Sequence, residues 1–293
     1  VRGKVPRHSM KAREVRIPAA LVDAVVVDAT QRQGYDLVYD AALSGQDRRD
    51  DPEPPQPAFS SRLVIARRAQ QELHDNAVIN FGFGIPDQIA KLIDRDGHAE
   101  RYFQTIEHGT YGGRLMDGDL FGYAMNPSCM IDGPSQFDFY SGGGLDIAFL
   151  GFGEIDAAGN VNVSKLAGNT VGPGGFIDIA QNARKVVFCG TFDTGGARLE
   201  TGDGTLRVTS HGRIPKLVEK VDQITFSGPQ ASVQGQHVIY VTERAVFELR
   251  EDGVHLVEIA PGIDLQADVL DRMGFTPRME SPLSEMNSGL FKE

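Results

Sequence analysis

The chain has 293 residues, 41% of them apolar and 24% charged, and a formal net charge of −11 at pH 7. That length supports one large or two small domains around a substantial core, and the acidic balance argues against nucleic acid or an anionic membrane as the main partner. No run reaches the ~18 consecutive apolar residues a membrane helix needs, and the basic first residues lack the apolar segment of a secretion signal.

Residues 1–60 read differently from the rest. Residues 24–27, Ala24-Val25-Val26-Val27, read as a strand, with Leu21-Val22 before it. A lone strand cannot bury its faces, so this part calls for a partner sheet. Residues 44–61 are polar, hold four prolines and have the composition of a linker.

From Arg62 onward helix and strand alternate. Residues 63–73 have helical spacing, and 77–81 form a short apolar strand ending in Gly82-Phe83-Gly84. Pro86 opens a second helix at a first-turn position, where its missing N–H costs nothing. The next strand, 102–106, delivers Glu107 at its C-terminal end. Gly142-Gly143-Gly144 leads into a buried strand at 145–150, a helix follows at 176–183, and 185–189 is again a strand. Strands at 223–226, 237–242 and 245–249 and an amphipathic helix near 265–273 complete the pattern. It predicts an α/β fold: an open, mostly parallel sheet with flanking helices and a late mixed or antiparallel portion.

Two residue types add information. The 34 glycines cluster at the ends of apolar runs, where backbone must approach backbone or ligand closely. Cys129 and Cys189 are far apart, which suits a reducing cytoplasm and argues against a disulfide framework or a cysteine-rich metal site. His74, His98, His211, His237 and His255 show no metal-ligand spacing.

In such sheets ligands bind at the carboxyl ends of strands. Gly82-Phe83-Gly84, Glu107-His108-Gly109 and the glycine run before Leu145 fall there or on the loops beside. A carboxylate held close and partly desolvated can attack a thioester; the plain alternative is a solvated loop glutamate. The N–H groups of residues 142–144 and 172–175 can stabilise an oxyanion or cradle a phosphate, unless these are simply turns that need positive φ. Gly82-Phe83-Gly84 is half of a dinucleotide fingerprint, but Pro86 and Asp87 follow where a third glycine belongs, so NAD binding is not expected. Lys165 is either a phosphate contact or a solvated lysine.

Thr105-Ile106-Glu107-His108-Gly109-Thr110-Tyr111-Gly112-Gly113 resembles the nucleophile motif of family I CoA-transferases. Asn80-Phe81-Gly82-Phe83-Gly84-Ile85-Pro86 is similar to that family's strand–GxGxP–helix element, and residues 141–151 are similar to its glycine-rich loop beside the acyl site. Residues 156–162, 172–179, 240–247 and 258–264 also fit, so the resemblance runs in order from about Leu63 to about Pro277. It is closest to the propionate and acetoacetate (acetate) branch.

The resemblance implies a ping-pong transfer of CoA between short-chain acyl-CoA and a carboxylic acid, through a thioester on Glu107. It implies oxyanion- or CoA-binding roles for Gly142, Gly143 and Gly144, and for Gly82, Gly84, Gly109, Gly174, Gly175, Asn160 and Lys165. CoA enters as substrate, and no metal or redox cofactor is required. Residues 1–60 resemble only the tail of a first lobe plus a linker, and 61–293 the catalytic lobe. The implied partner is an N-terminal lobe or a complementary subunit, and an unpartnered edge favours a homo-oligomer. The rival readings are an acyl-CoA hydrolase, in which water resolves the same thioester, and a non-catalytic lobe of a larger assembly.

Overall fold

The computed structural model describes residues 1–51 and 56–293, without the side chain of Glu280; the proline-rich centre of the expected linker, 52–55, lies outside the described residues. Ten strands form one sheet. In chain order they are β1 (Val78–Phe81), β2 (Phe103–Ile106), β3 (Thr110–Tyr111), β4 (Cys129–Met130), β5 (Ile147–Gly151), β6 (Lys185–Cys189), β7 (His237–Val241), β8 (Ala245–Arg250), β9 (Gly253–Ile259) and β10 (Arg278–Glu285). Their spatial order is β10-β9-β8-β7-β6-β5-β1-β2-β3-β4.

The five central strands, β2-β1-β5-β6-β7, all pair in parallel. Strand β8 turns back on β7, and β9 turns back on β8, which is the late antiparallel portion read from the sequence. A second antiparallel edge, β2-β3-β4, had no clear signal because β3 and β4 have only two residues each.

Helices cover both faces of this sheet. Side chains alternate along β5 and β6: Ile147, Phe149, Val187 and Cys189 join one core, and Ala148, Leu150, Val186 and Phe188 the other. The first core is closed by α1 (Ser61–Gln70) and α2 (Ile85–Arg95) through Leu63, Ile65, Ile89 and Ile93. The second is closed by α3 (Gly133–Ser141), α4 (Phe176–Asn182) and α5 (Gly228–Val233), with Tyr140, Ile179 and Ala231 inside. Polar caps fix the starts of three of these helices: Ser60 accepts from Leu63 N, Asp132 from Ser135 N and Ser227 from Gln230 N.

Several expectations need correction. Residues 24–27 form no strand; Val26 is 78% exposed, and no neighbouring strand offers a ladder, so β-propensity alone does not order them. Within residues 1–51 only Ala42 and Leu43 are buried, packed on Met125. Residues 223–226 make a single bridge, Val161 to Phe226, instead of a strand. The helix near 265–273 is one π-helical turn, Leu265–Val269, followed by a 3-10 turn, Leu270–Arg272.

The sheet centre depends on aromatic packing: Phe149 is fully buried and stacks on Phe81 at 5.5 Å. Phe149→Ala is expected to destabilise the fold by about 3–5 kcal/mol, read as a lower urea midpoint at unchanged slope.

Candidate active site

Because the five central strands run the same way, the residues that follow them share one rim. Pairing places Thr105 opposite Asn80 and Asn80 opposite Ala148, so Glu107 stands level with Gly82 and Leu150. The turn that carries Glu107 is closed by Gly109 N donating to Ile106 O at 2.9 Å. Gly109 has φ +98°, and a Cβ there would lie 2.2 Å from Ile131 O, so only glycine lets this turn pass beneath β4.

Glu107 is half-buried in a cavity of about 440 Å³. The walls come from the rim: Gly82 and Phe83 after β1, Phe152 and Gly153 after β5, and the loop Pro173–Gly175 before α4. Phe81, Phe121, Phe176, Leu150 and Ile179 make most of the remaining surface apolar. Among the described residues the Glu107 carboxylate has no hydrogen bond or ion pair. The backbone of Gly175 lies against it, where a Cβ would lie 2.9 Å from Glu107 Oε2 and 3.1 Å from Cδ. The N–H groups of Gly174 and Gly175 have no acceptor among the described residues, so they are free to donate beside this carboxylate.

Behind Asn80, which lines the cavity, lies a buried polar chain. Thr105 donates to Ile79 O at 2.8 Å, so the fully buried Tyr140 must donate to Thr105 Oγ1 at 2.7 Å, and Asn80 Nδ2 donates to the Tyr140 hydroxyl at 3.3 Å. Burial raises the Tyr140 phenol above its ordinary range, while the hydrogen bond it accepts from Asn80 pulls the other way. Asn80 thereby faces the cavity in a fixed orientation. It opens the strand–GxGxP motif, yet sequence reasoning assigned it no role. His108 also lines the cavity, exposed, with Nδ1 3.3 Å from Gly122 O.

The other sequence-derived candidates separate. Gly82, Gly174 and Gly175 line the cavity with Glu107, although Gly82 N is engaged with Phe149 O at 2.7 Å. Gly84 caps α2, its N–H donating to Asp87 at 3.2 Å. Asn160 is occupied elsewhere: Nδ2 donates to Asp156 at 3.0 Å and Oδ1 accepts from Gly228 N at 3.1 Å, which fixes the start of α5. Lys165 pairs with Asp222 at 3.1 Å and does not line the cavity.

Gly142, Gly143 and Gly144 do not meet Glu107. They precede β5, whereas Glu107 follows β2, and parallel pairing puts those positions at opposite ends of the sheet, roughly 20 Å apart at ~3.3 Å per residue. Gly142 and Gly143 line a different cavity with residues 181–184 and 234–237. The run precedes its strand, and in a parallel sheet that places it at the rim opposite Glu107.

No protein-family model matches the chain. It is 44% identical over 292 residues to the acetate CoA-transferase YdiF of Escherichia coli K12, covering 99% of this chain and 55% of that protein. It is 43% identical over 295 residues to the caffeate CoA-transferase of Acetobacterium woodii, covering 98% and 56%. A crystal structure of the acyl-CoA transferase YdiF from E. coli O157:H7, in a thioester complex with CoA, superposes with a TM-score of 0.89 at 42% identity, over 98% of this chain and 54% of that one. The chain thus spans about half the length of these two relatives.

The contact between residue 175 and Glu107 can be tested directly. In a crystal structure of Gly175→Ala the added methyl is expected to displace the Glu107 carboxylate or the loop before α4, while Gly142→Ala at the far end of the sheet leaves both in place.

Proposed function

Since this chain belongs to family I of the CoA-transferases, we propose that Glu107 is the nucleophile in a ping-pong transfer of CoA between carboxylic acids. The observation that carries this reading is the position of its carboxylate: half-buried, unpaired, and against the backbone of Gly175 in an apolar cavity. Little has to be displaced before a thioester carbon can reach it.

Glu107 attacks the donor thioester carbonyl, forming a mixed anhydride and expelling CoA thiolate. The thiolate attacks the Glu107 carbonyl, which gives a glutamyl-CoA thioester and releases the first acid with one of the former carboxylate oxygens. The acceptor carboxylate reverses both steps. Each passes through a tetrahedral oxyanion, for which the free N–H groups of Gly174 and Gly175 replace the Gly142–Gly144 run. One such donor is typically worth ~3 kcal/mol of barrier.

The smaller acids, acetate, propionate and acetoacetate among them, fit the cavity. The acetate CoA-transferase and caffeate CoA-transferase relatives bracket a wide range of acyl size. Residues 1–60 we read as the tail of a first lobe plus linker, and 61–293 as the catalytic lobe. The exposed apolar side chains of Val25, Val26 and Tyr35 support a covering first lobe or complementary subunit, possessed in cis or supplied in trans. A homo-oligomer and a cytoplasmic setting complete the reading. No helix among the described residues is long and apolar enough to cross a membrane.

With the complementary lobe present, Glu107→Ala is expected to abolish acyl exchange. Glu107→Asp should leave at most a small residue, because its carboxylate retreats by about one methylene, ~1.5 Å. Borohydride added during turnover should reduce residue 107 in the wild type only. An active preparation in which that residue stays unreduced contradicts the covalent step, and release of free CoA without an acceptor acid favours hydrolysis.

A further inference from the structure

Two cations stand on the same rim without a counter-ion. Lys91, Lys165 and Lys185 each face a carboxylate, at 2.5, 3.1 and 3.0 Å. Lys216 and Arg62 touch none: among the described residues neither has a hydrogen bond or ion pair through its side chain, although Glu243 and Asp193 act on Lys216 and Asp87 on Arg62 from farther off. Lys216 is half-buried, and its ammonium lies 4.0 Å from the centroid of Phe152, a ring that also lines the Glu107 cavity. Its backbone is pinned, because Lys216 O accepts from Ile155 N and Val218 N donates to Ile155 O, both at 2.8 Å. A Cβ on Gly190 would lie 2.9 Å from Lys216 Nζ, so the ammonium rests on the residue that follows β6. Arg62, exposed at the start of α1, reaches Gly84 after β1, where a Cβ would stand 3.7 Å from its Nη2.

The acidic groups facing Lys216 each have one oxygen engaged by other groups, and Asp193 Oδ1 and Glu243 Oε1 have no hydrogen bond among the described residues. Asp193 Oδ2 accepts from Arg244 Nη2 at 2.9 Å, while Glu243 pairs with Arg244 Nε at 3.3 Å and accepts from Phe192 N at 3.0 Å. Burial lowers the Lys216 ammonium to about 8 against the opposing pull of Glu243 and Asp193, and Arg62 adds repulsion. A half-buried, unpaired ammonium is costly, and an anion brought to it recovers much of that cost. Glu107 and Lys216 are separated by the step from β2 to β6, three strand spacings of ~4.8 Å or roughly 14 Å. That is about the reach of an extended pantetheine arm.

We propose that Lys216 and Arg62 form the subsite that holds the phosphate groups of CoA while its thiol lies at Glu107. This rests on the transfer reading above. Lysine meets phosphate as a point charge and arginine through its planar fork, so the pair suits a diphosphate or a phosphate dianion. Lys165, the lysine singled out in the sequence, is not needed for it.

The test is calorimetric titration of the 293-residue chain with CoA, dephospho-CoA, pantetheine and inorganic phosphate, below and above pH 8. Lys216→Met and Arg62→Gln are each expected to weaken CoA binding by about tenfold and to leave pantetheine unchanged. An anion raises the Lys216 pKa, so binding takes up a proton and wild-type affinity for CoA falls as the pH rises through about 8. Lys216→Arg should keep most of the affinity and lose that pH dependence. Equal losses for CoA and pantetheine, CoA affinity unmoved by either variant, inorganic phosphate binding as tightly as CoA, or no CoA binding by the wild type would each overturn the proposal. Arg62 is exposed, so its variant remains informative if Lys216→Met does not fold. Borohydride reduction of residue 107, with the complementary lobe present, separates this from the chemistry. Reduction that persists in Lys216→Met with unchanged CoA affinity sinks the subsite and leaves transfer standing. Lys216-dependent CoA binding without any reduction in the wild type supports the subsite and sinks the covalent step.

Discussion

Parallel pairing of β2, β1, β5, β6 and β7 is the constraint on which the rest of the molecule depends. Ladder hydrogen bonds and two buried side-chain layers hold these strands in register, so their C-terminal ends cannot be redistributed one at a time. Glu107, Gly82, Phe152, Gly190 and the Glu243–Arg244 turn all stand on one rim for this reason alone. Whatever binds there meets backbone from several strands at once, in the crevice where open α/β sheets take their ligands.

That constraint also explains what the sequence could and could not tell. Long apolar runs, such as 147–151 and 185–189, announce buried central strands, and Pro86 marks the start of α2. Glu107 was legible because a carboxylate directly ends a strand and glycines follow it. The Gly142–Gly144 run looked equally favourable, yet it precedes its strand, and in a parallel sheet that difference of order is a difference of place. Residues 24–27 have the composition of a strand, but a strand exists only with a partner. Asn80 and Lys216 carried no local signal: the first becomes significant through Tyr140, and the second through Phe152 and Gly190, contacts made across many residues of chain.

The electrostatics of the rim differ from those of the whole chain. Net charge is −11, and the acidic groups nearest Lys216 share one cation, Arg244, which is fully buried and also donates to Asp268 O at 3.2 Å. Burial pushes Glu243 up, with Arg244 and backbone N–H groups opposing it. Arg244 thus fixes the turn between β7 and β8 and offsets part of the negative charge of two carboxylates. An acidic protein can in this way present local positive charge without being basic overall.

The central claim is that a carboxylate oxygen of residue 107 takes part in the covalent exchange. It is tested most directly by turnover with an oxygen-labelled acceptor acid in unlabelled water, the complementary lobe being present, followed by mass spectrometry of the peptide containing residue 107. The account predicts that heavy oxygen passes from the acceptor into that side chain, since the anhydride is cleaved at the acyl carbonyl. A residue 107 that stays unlabelled while acyl groups are exchanged would contradict it.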